Sequence, residues 1–165
     1  MMTFISGPPA SGKSAFAETL VVKSIYKKRI YIATMVVVDK ASEERAEKHR
    51  QLRFGKGFTT FEIPIHIDES LNMMDDPKQS VVLLECAANL VGNVMHSDET
   101  EDVPSYVADL VKKLEGSVGE LIVVTEDYSH DPNMGSYDHE TKEYIRLLHE
   151  TNEILKEYSD SIYER

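Results

Sequence analysis

A glycine-rich segment near the start of the chain has the spacing that binds nucleotide phosphates. Two glycines are separated by four residues, and the second is followed directly by lysine and serine. An apolar run precedes the segment and a helical pattern follows it, which is the context that this motif requires. Its eight residues are Gly7, Pro8, Pro9, Ala10, Ser11, Gly12, Lys13 and Ser14.

The chemistry expected of this phosphate loop is the binding of ATP or GTP together with Mg²⁺. Glycines let backbone N–H groups turn toward phosphate oxygens, and the following helix directs its positive end to the same place. We expect Lys13 to contact the β and γ phosphates and the Ser14 hydroxyl to ligate Mg²⁺. The alternative is a glycine turn that binds nothing.

A second acidic ligand for Mg²⁺ is expected at the end of a neighbouring strand. Glu85 closes the apolar run VVLLE and is the candidate. A strand-end carboxylate that only faces water is the alternative.

A polar helix predicted over residues 39–53 carries the third candidate. It has too few apolar residues for a core helix, yet Arg45, His49 and Arg53 follow one another at intervals of four and share one face. Arginines can donate two hydrogen bonds to phosphate oxygens, and their charge favours the neutral, nucleophilic form of a histidine. The alternative is a solvated helix stabilised by surface ion pairs.

The elements that position these residues alternate between apolar runs and helical patterns. This alternation predicts an α/β fold of the P-loop NTPase type: one domain over residues 1–165, with a mostly parallel sheet flanked by helices on both faces. The predicted strands cover 1–6, 30–34, 59–63, 81–85 and 121–125. The predicted helices cover 14–27, 39–53, 103–114 and 144–158. Residues 96–102 and 126–137 are predicted loops, and the second is long enough for a lid or a mobile segment.

Composition excludes several classes of partner. The 165 residues carry a net charge of -11 and have a pI of about 5.0, which opposes binding to nucleic acid or to an anionic membrane surface. No apolar segment is long enough to span a membrane, and the N-terminus lacks the layout of a signal peptide. We therefore expect a cytoplasmic protein, and its single cysteine, Cys86, allows no intrachain disulfide.

Several segments outside the phosphate loop carry a more specific pattern. They are YIAT ending at Thr34, RAEKHR containing His49 and followed by Arg53, FTTFE ending at Glu62, and LLEC containing Glu85. With VTED near residue 126, they resemble the bifunctional adenosylcobinamide kinase / adenosylcobinamide-phosphate guanylyltransferase family of cobalamin assembly. The resemblance extends from residue 1 to about residue 163.

This resemblance implies two reactions at one phosphate loop. One transfers phosphate from ATP or GTP to the hydroxyl of adenosylcobinamide, a corrinoid, and the other transfers GMP from GTP to the phosphorylated product through a histidine adduct. His49 stands at the position of that histidine. The resemblance also implies a homo-oligomer, a trimer. Further nucleotide contacts are expected at Thr34, Arg45, Arg50, Arg53, Glu62 and Glu85.

The chain also departs from the family pattern. Glu126 replaces an asparagine, the segment after it is longer and more polar, and we expect the family's last strand to be absent. Two other functions therefore stay open. One is a P-loop kinase of another small molecule, in which His49 is only a phosphate contact, and the other is a nucleotide-binding relative that has lost catalysis.

Overall fold

Six parallel strands form one sheet in the computed structural model, which describes residues 1–165. Their order across the sheet is β3-β2-β4-β5-β1-β6. The strands are β1 Met2–Gly7, β2 Lys28–Ala33, β3 Phe58–Glu62, β4 Ser80–Glu85, β5 Glu120–Glu126 and β6 Ser161–Glu164. The helices are α1 Lys13–Lys23, α2 Lys40–Arg53, α3 Ala87–Met95, α4 Val103–Glu115 and α5 His139–Tyr158. Short 3₁₀ turns lie at Ile67–Asn72, Pro77–Gln79 and Met134–Ser136.

The central strands are buried because helices cover both faces of the sheet. Strands β4 and β5 are almost continuously apolar, as expected for strands with no solvent-facing side. Helix α1 packs on β1, β4 and β5, while α3, α4 and α5 pack on one another and on β5 and β1. The predicted α/β fold with a parallel sheet is confirmed. No helix has both the length and the apolar character that a membrane crossing requires.

The register of the strands brings the candidate residues to one edge of the sheet. Gly7 at the end of β1 lies opposite Glu126 at the end of β5. Glu85 at the end of β4 lies opposite Ala33 on one side and Val124 on the other. The phosphate loop therefore lies at the carboxyl ends of the strands, where two glutamates end β4 and β5. Ligands of open parallel sheets bind at these carboxyl ends.

The end of the first helix differs from the prediction. Helix α1 stops at Lys23, four residues early, because Ser24 takes an extended backbone conformation. Lys27 therefore lies beyond the helix, and Lys28 and Arg29 begin β2. Helix α3 was not predicted at all, since its nine residues follow a strand without any polar break.

The predicted absence of a last strand is wrong. Strand β6 pairs with β1 in parallel, from Thr3 opposite Ser161 to Ser6 opposite Glu164. It escaped prediction because it is a four-residue edge strand with three exposed residues, so it shows no continuous apolar run. The backbone N–H of Arg165 then donates to the carbonyl of Ser6 at 2.8 Å, next to the phosphate loop.

Helix α2 begins at a well-formed cap. The Asp39 carboxylate accepts a hydrogen bond from the Ser42 N–H at 2.8 Å, and the Ser42 hydroxyl accepts one from the Asp39 N–H at 3.0 Å. This reciprocal arrangement satisfies N–H groups that have no partner within the helix. It fixes the first turn, and His49 lies ten residues after the cap.

Candidate active site

The phosphate loop has the backbone geometry that its glycines allow. Gly12 caps α1 with φ at 81°, in the left-handed region that favours glycine. A Cβ atom at Gly7 would lie 2.8 Å from the Ser11 Oγ and 2.9 Å from the carbonyl oxygen of Arg165. No side chain caps the first turn of α1, so no side chain competes for its free N–H groups. An anion can bind there.

Lys13 is buried at the base of this loop. Its Nζ donates to the Pro8 carbonyl at 3.1 Å and forms an ion pair with the Glu126 Oε2 at 2.9 Å. Only 6% of the Lys13 side chain is exposed, so the amine has little access to solvent. The Lys13 amine, which is expected to bind phosphate oxygens, is thus paired with the Glu126 carboxylate instead.

Ser14 and Glu85 meet as the magnesium prediction requires. The Ser14 hydroxyl donates to the Glu85 Oε1 at 2.9 Å, and the Glu85 Oε2 is buried with no hydrogen-bond partner. Burial raises the pKa of Glu85 to about 7, although the Ser14 hydrogen bond and the Lys13 charge oppose the shift. No three His, Cys, Asp or Glu side chains cluster as a preformed metal site. One hydroxyl and one unpaired carboxylate oxygen nevertheless suit Mg²⁺, which completes its shell with water and nucleotide phosphates.

A cleft of about 570 Å³ runs from the phosphate loop to α2. It begins at Pro9 and passes the strand-end glutamates before it reaches the predicted histidine face. Arg45, His49, Arg50 and Arg53 all line it. The structure therefore brings two separately predicted features, the phosphate loop and the histidine helix, into one site.

His49 is half-buried in this cleft. Its Nδ1 is buried and has no hydrogen-bond partner. Burial is the main cause that lowers the pKa of His49, and the charges of Arg53, Lys13 and Lys48 lower it further. This direction agrees with the predicted bias toward neutral histidine, although burial is the larger cause and Arg53 is the only arginine that contributes.

The three arginines of the cleft differ in their partners. Arg45 is exposed and forms no ion pair, and it donates no hydrogen bond to another side chain. Arg50 is paired with Glu47 at 2.7 Å and with Glu43 at 3.4 Å. Arg53 donates from Nε to the Thr60 hydroxyl at 3.1 Å, and its guanidinium lies 4.3 Å from the centre of the Tyr31 ring. Arg45 is therefore the arginine most available to a ligand.

Thr34 and Glu62, two other predicted nucleotide contacts, differ in their exposure to solvent. Thr34 is fully buried, and its hydroxyl donates to the Cys86 carbonyl at 2.8 Å and accepts from the Cys86 N–H at 2.9 Å. It does not line the cleft, and its side chain holds the end of β4 through Cys86. Glu62 is exposed at the far rim of the cleft and has no ion pair.

Sequence reasoning missed several residues of the cleft. Glu126 was recognised only as a departure from the family pattern, although it ends the run LIVVTE as Glu85 ends VVLLE. That repeated strand-end glutamate was the available signal. Asn89 and Asn93 lie on α3, which was not predicted. Tyr128 and Tyr144 lie in the predicted loop and the predicted last helix, but neither belongs to a motif that would mark it as a site residue.

The polar segment 126–137 folds against the phosphate loop. Ser129 donates from its N–H and its hydroxyl to the Asp127 Oδ1 at 2.8 and 2.6 Å, and the Tyr137 hydroxyl donates to Asp131. The segment and Pro8 and Pro9 enclose a separate cavity of about 340 Å³. The predicted loop is present, and its own side chains form hydrogen bonds within it.

Comparison with known families identifies the group to which the chain is related. The profile of the family described as "Cobinamide kinase / cobinamide phosphate guanyltransferase" matches residues 3–164, nearly the whole chain. The chain belongs to this family. The resemblance inferred from the short motifs is thereby confirmed.

A protein from Escherichia coli (strain K12) is also similar in sequence to this chain. It is the "Bifunctional adenosylcobalamin biosynthesis protein CobU", and 95 aligned residues are 38% identical. The alignment covers 58% of this chain and 50% of that protein, so the match spans half the length of the curated relative.

Solved structures agree on the fold of this family member. One solved structure, described as an ATPase domain, superimposes with a TM-score of 0.54 at 12% identity, covering 99% of this chain and 68% of that one. At so low an identity the likeness concerns the fold alone. The arrangement of sheet and helices is thus similar to that of this ATPase domain.

Proposed function

We propose that this chain catalyses two successive transfers in one cleft. The first moves the γ phosphate of ATP or GTP to the hydroxyl of adenosylcobinamide. The second moves GMP from GTP to the resulting phosphate through an adduct on His49. Membership of the family supports both reactions. The observation that carries the proposal is that His49 lines the same cleft as Pro9 of the phosphate loop and as Glu126, the partner of Lys13.

Phosphoryl transfer is assigned to the phosphate loop. Its backbone N–H groups and Lys13 hold the β and γ phosphates, which places the transferred group at the Glu85 and Glu126 end of the cleft. Ser14 and Glu85 hold Mg²⁺, which when bound neutralises charge on the phosphates. The loop therefore positions the nucleotide and stabilises charge, and it forms no covalent bond.

GMP transfer is assigned to His49. Its unprotonated ring nitrogen attacks the α phosphorus of GTP, an N–P bond forms, the bond to the β phosphate breaks, and pyrophosphate leaves. The corrinoid phosphate then attacks the same phosphorus and releases the histidine. A lowered pKa keeps the ring neutral at physiological pH, so the nucleophile is ready without a separate base.

Nucleotide recognition is assigned to the remaining polar residues of the cleft. Arg45, Arg50 and Arg53 are suited to phosphate oxygens, since a guanidinium presents two parallel N–H donors. Glu62 has no competing partner, so its carboxylate is free to accept the N1–H and amino donors of guanine. The proposal also includes a cytoplasmic location, where nucleoside triphosphates are available. It further includes a homo-oligomeric state, for which the family resemblance implies a trimer.

The test is to incubate the protein with Mg²⁺ and GTP labelled at the α phosphate and to measure label on the denatured chain. We expect an adduct that survives alkali and is released by acid, as a phosphoramidate is. His49→Ala should abolish it, while His96→Ala, which removes an exposed histidine outside the cleft, should leave it unchanged. Absence of label in a protein that still binds GTP would rule out the GMP-transfer half and leave a kinase or a non-catalytic binder.

A further inference from the structure

Glu126 is held in the cleft by its backbone and by Lys13. The Asn152 side-chain amide donates to the Glu126 carbonyl at 3.0 Å, and the Thr125 hydroxyl donates to the Asn152 Oδ1 at 3.0 Å. These bonds fix the end of β5. The carboxylate is 22% exposed, lines the cleft with His49, and lies 2.9 Å from the Lys13 Nζ.

The position of this carboxylate relates it to the transferred phosphate. In the phosphate-loop motif the lysine contacts the β and γ phosphates. A carboxylate within hydrogen-bond distance of that lysine therefore borders the place of the γ phosphate. Tyr128 and Tyr144 line the same cleft as Glu126. We expect the acceptor hydroxyl to reach the γ phosphorus through this cleft.

The other two carboxylates of the cleft are not available for the same task. Glu85 is hydrogen-bonded to Ser14 and suits the magnesium site. Glu62 ends β3, which the sheet order separates from β5 by three strand spacings, or about 14 Å. Of the three glutamates that line the cleft, only Glu126 is paired with Lys13.

We propose that Glu126 is the general base of phosphoryl transfer, and this rests on the proposed function. The bound nucleotide takes over Lys13, and the freed carboxylate accepts the proton of the corrinoid hydroxyl. As that proton moves to Glu126, the hydroxyl oxygen forms a bond to the γ phosphorus, the bond to the β phosphate oxygen breaks, and the nucleoside diphosphate leaves with the electron pair. Glu126 later loses its proton to water.

The two reactions have different needs for this base. A hydroxyl nucleophile has to lose a proton, whereas the neutral ring nitrogen of His49 carries a free electron pair and the corrinoid phosphate is already anionic. Loss of the Glu126 carboxylate should therefore impair phosphoryl transfer and leave formation of the His49 adduct intact. A residue that only shaped the loop would affect both.

The experiment compares Glu126→Gln with wild type in both assays, with adenosylcobinamide and ATP for phosphoryl transfer and with α-labelled GTP for the adduct. We expect kcat of phosphoryl transfer to fall roughly 100- to 10,000-fold, the usual contribution of a general base. Adduct formation should stay within about threefold of wild type. Nucleotide affinity should be unchanged or higher, because Lys13 no longer pairs with an anion.

Two further variants serve as controls. Glu126→Asp keeps the carboxylate and should recover part of the lost rate. Asp127→Asn alters the neighbouring carboxylate, which accepts from Ser129 and lies 3.7 Å from the His149 Nε2, outside the cleft. It should retain phosphoryl transfer.

Three outcomes would overturn the proposal. They are a Glu126→Gln variant that equals wild type in phosphoryl transfer, one that loses both reactions together, and an Asp127→Asn variant that loses as much activity. Each of these would remove Glu126 as the base while the proposed function stands. A wild-type protein that phosphorylates no adenosylcobinamide would instead overturn the kinase half of the proposed function, and this proposal with it.

Discussion

The phosphate loop and helix α2 meet in one cleft but are held in the protein by different means. Helix α1 after the loop buries Lys13, Ala17, Glu18 and Val21 and packs on three central strands. Helix α2 buries only Ser42 and has no extensive packing against any other helix or strand. One half of the site is thus part of the hydrophobic core, and the other is attached to its surface.

A few polar contacts keep α2 in place. Its first turn is fixed by the Asp39 cap, and Arg53 in its last turn is bonded to Thr60 and lies over Tyr31. Segments with few buried apolar contacts open more easily than the core. The comparison therefore predicts a rigid half that binds phosphate and a more adaptable half that carries the nucleophile.

Replacing Lys13 or His49, the key residue of each half, by alanine should have the largest effect on activity. The two variants should separate GTP binding from GMP transfer. Lys13→Ala removes a charged donor to the phosphates and is expected to weaken binding of Mg²⁺–GTP roughly 10- to 100-fold. His49→Ala should abolish GMP transfer but change the Kd less than about threefold, since the histidine is a nucleophile and not a phosphate anchor. Titration calorimetry measures the Kd of Mg²⁺–GTP for both variants. An equal loss of affinity in the two would contradict the assignment of binding to Lys13 and of transfer to His49.

Glycine substitutions in the loop should reveal how tightly the rigid half is packed. Gly7→Ala places a methyl group 2.9 Å from the Arg165 carbonyl oxygen and should lower the free energy of unfolding by about 1–3 kcal/mol. Gly12→Ala has open space but a left-handed backbone and should cost about 1–2 kcal/mol. Gly116→Ala meets only ordinary contacts at a right-handed backbone and serves as the control. Urea unfolding that ranks Gly116→Ala with the other two would contradict the packing argument.

Two arginines of the adaptable half test whether ion pairs decide which side chain binds phosphate. Arg45→Ala should weaken GTP binding roughly tenfold, because its guanidinium has no partner to leave. Arg50→Ala should weaken it only about twofold, since Glu43 and Glu47 already neutralise this side chain. The measurement is the Kd of Mg²⁺–GTP for each variant. The reverse ranking would mean that α2 rearranges when nucleotide binds.

Removing the cap of α2 should loosen that helix without unfolding the protein. Asp39→Ala loses the bond to the Ser42 N–H and is expected to cost about 1 kcal/mol of local stability. Amide hydrogen exchange should accelerate in α2 and stay unchanged in α1. Asp138→Ala removes the equivalent cap of the core-packed helix α5 and should instead lower global stability. If both variants behaved alike, the contrast between the two halves would be wrong.

The rigid half is also the part that the sequence predicted best. The loop motif and the runs VVLLE and LIVVT are local, continuous signals, so the loop, β4 and β5 were placed within one or two residues. Strand β6 and helix α3 depend on tertiary context: one is a short, largely exposed edge strand, and the other continues directly from a strand. Neither leaves a periodic pattern long enough to be recognised.

The same distinction applies to the site. Spacing alone placed Arg45, His49 and Arg53 on one face, because helix geometry is a local property. The ion pair between Lys13 and Glu126 joins residues 113 positions apart in the sequence and depends on strand order. Thr34 was expected to contact nucleotide, but the packing of β2 against β4 turns its hydroxyl to Cys86. Contacts of this kind follow from topology, which no local pattern specifies.

The smallest expected effect is a change in pH dependence that links the two halves. His49 reacts in its neutral form, whose population falls as pH decreases through its pKa. Burial, Arg53 and Lys13 lower that pKa, so adduct formation at saturating GTP should hold its rate below pH 6.5 and decline only in more acidic solution. Arg53→Gln removes one positive charge and should move the midpoint upward, toward the ordinary value. Arg50→Gln should not move it, because Arg50 has no part in the shift. An unchanged midpoint for Arg53→Gln would exclude Arg53 and leave burial and the charges of Lys13 and Lys48 as the causes.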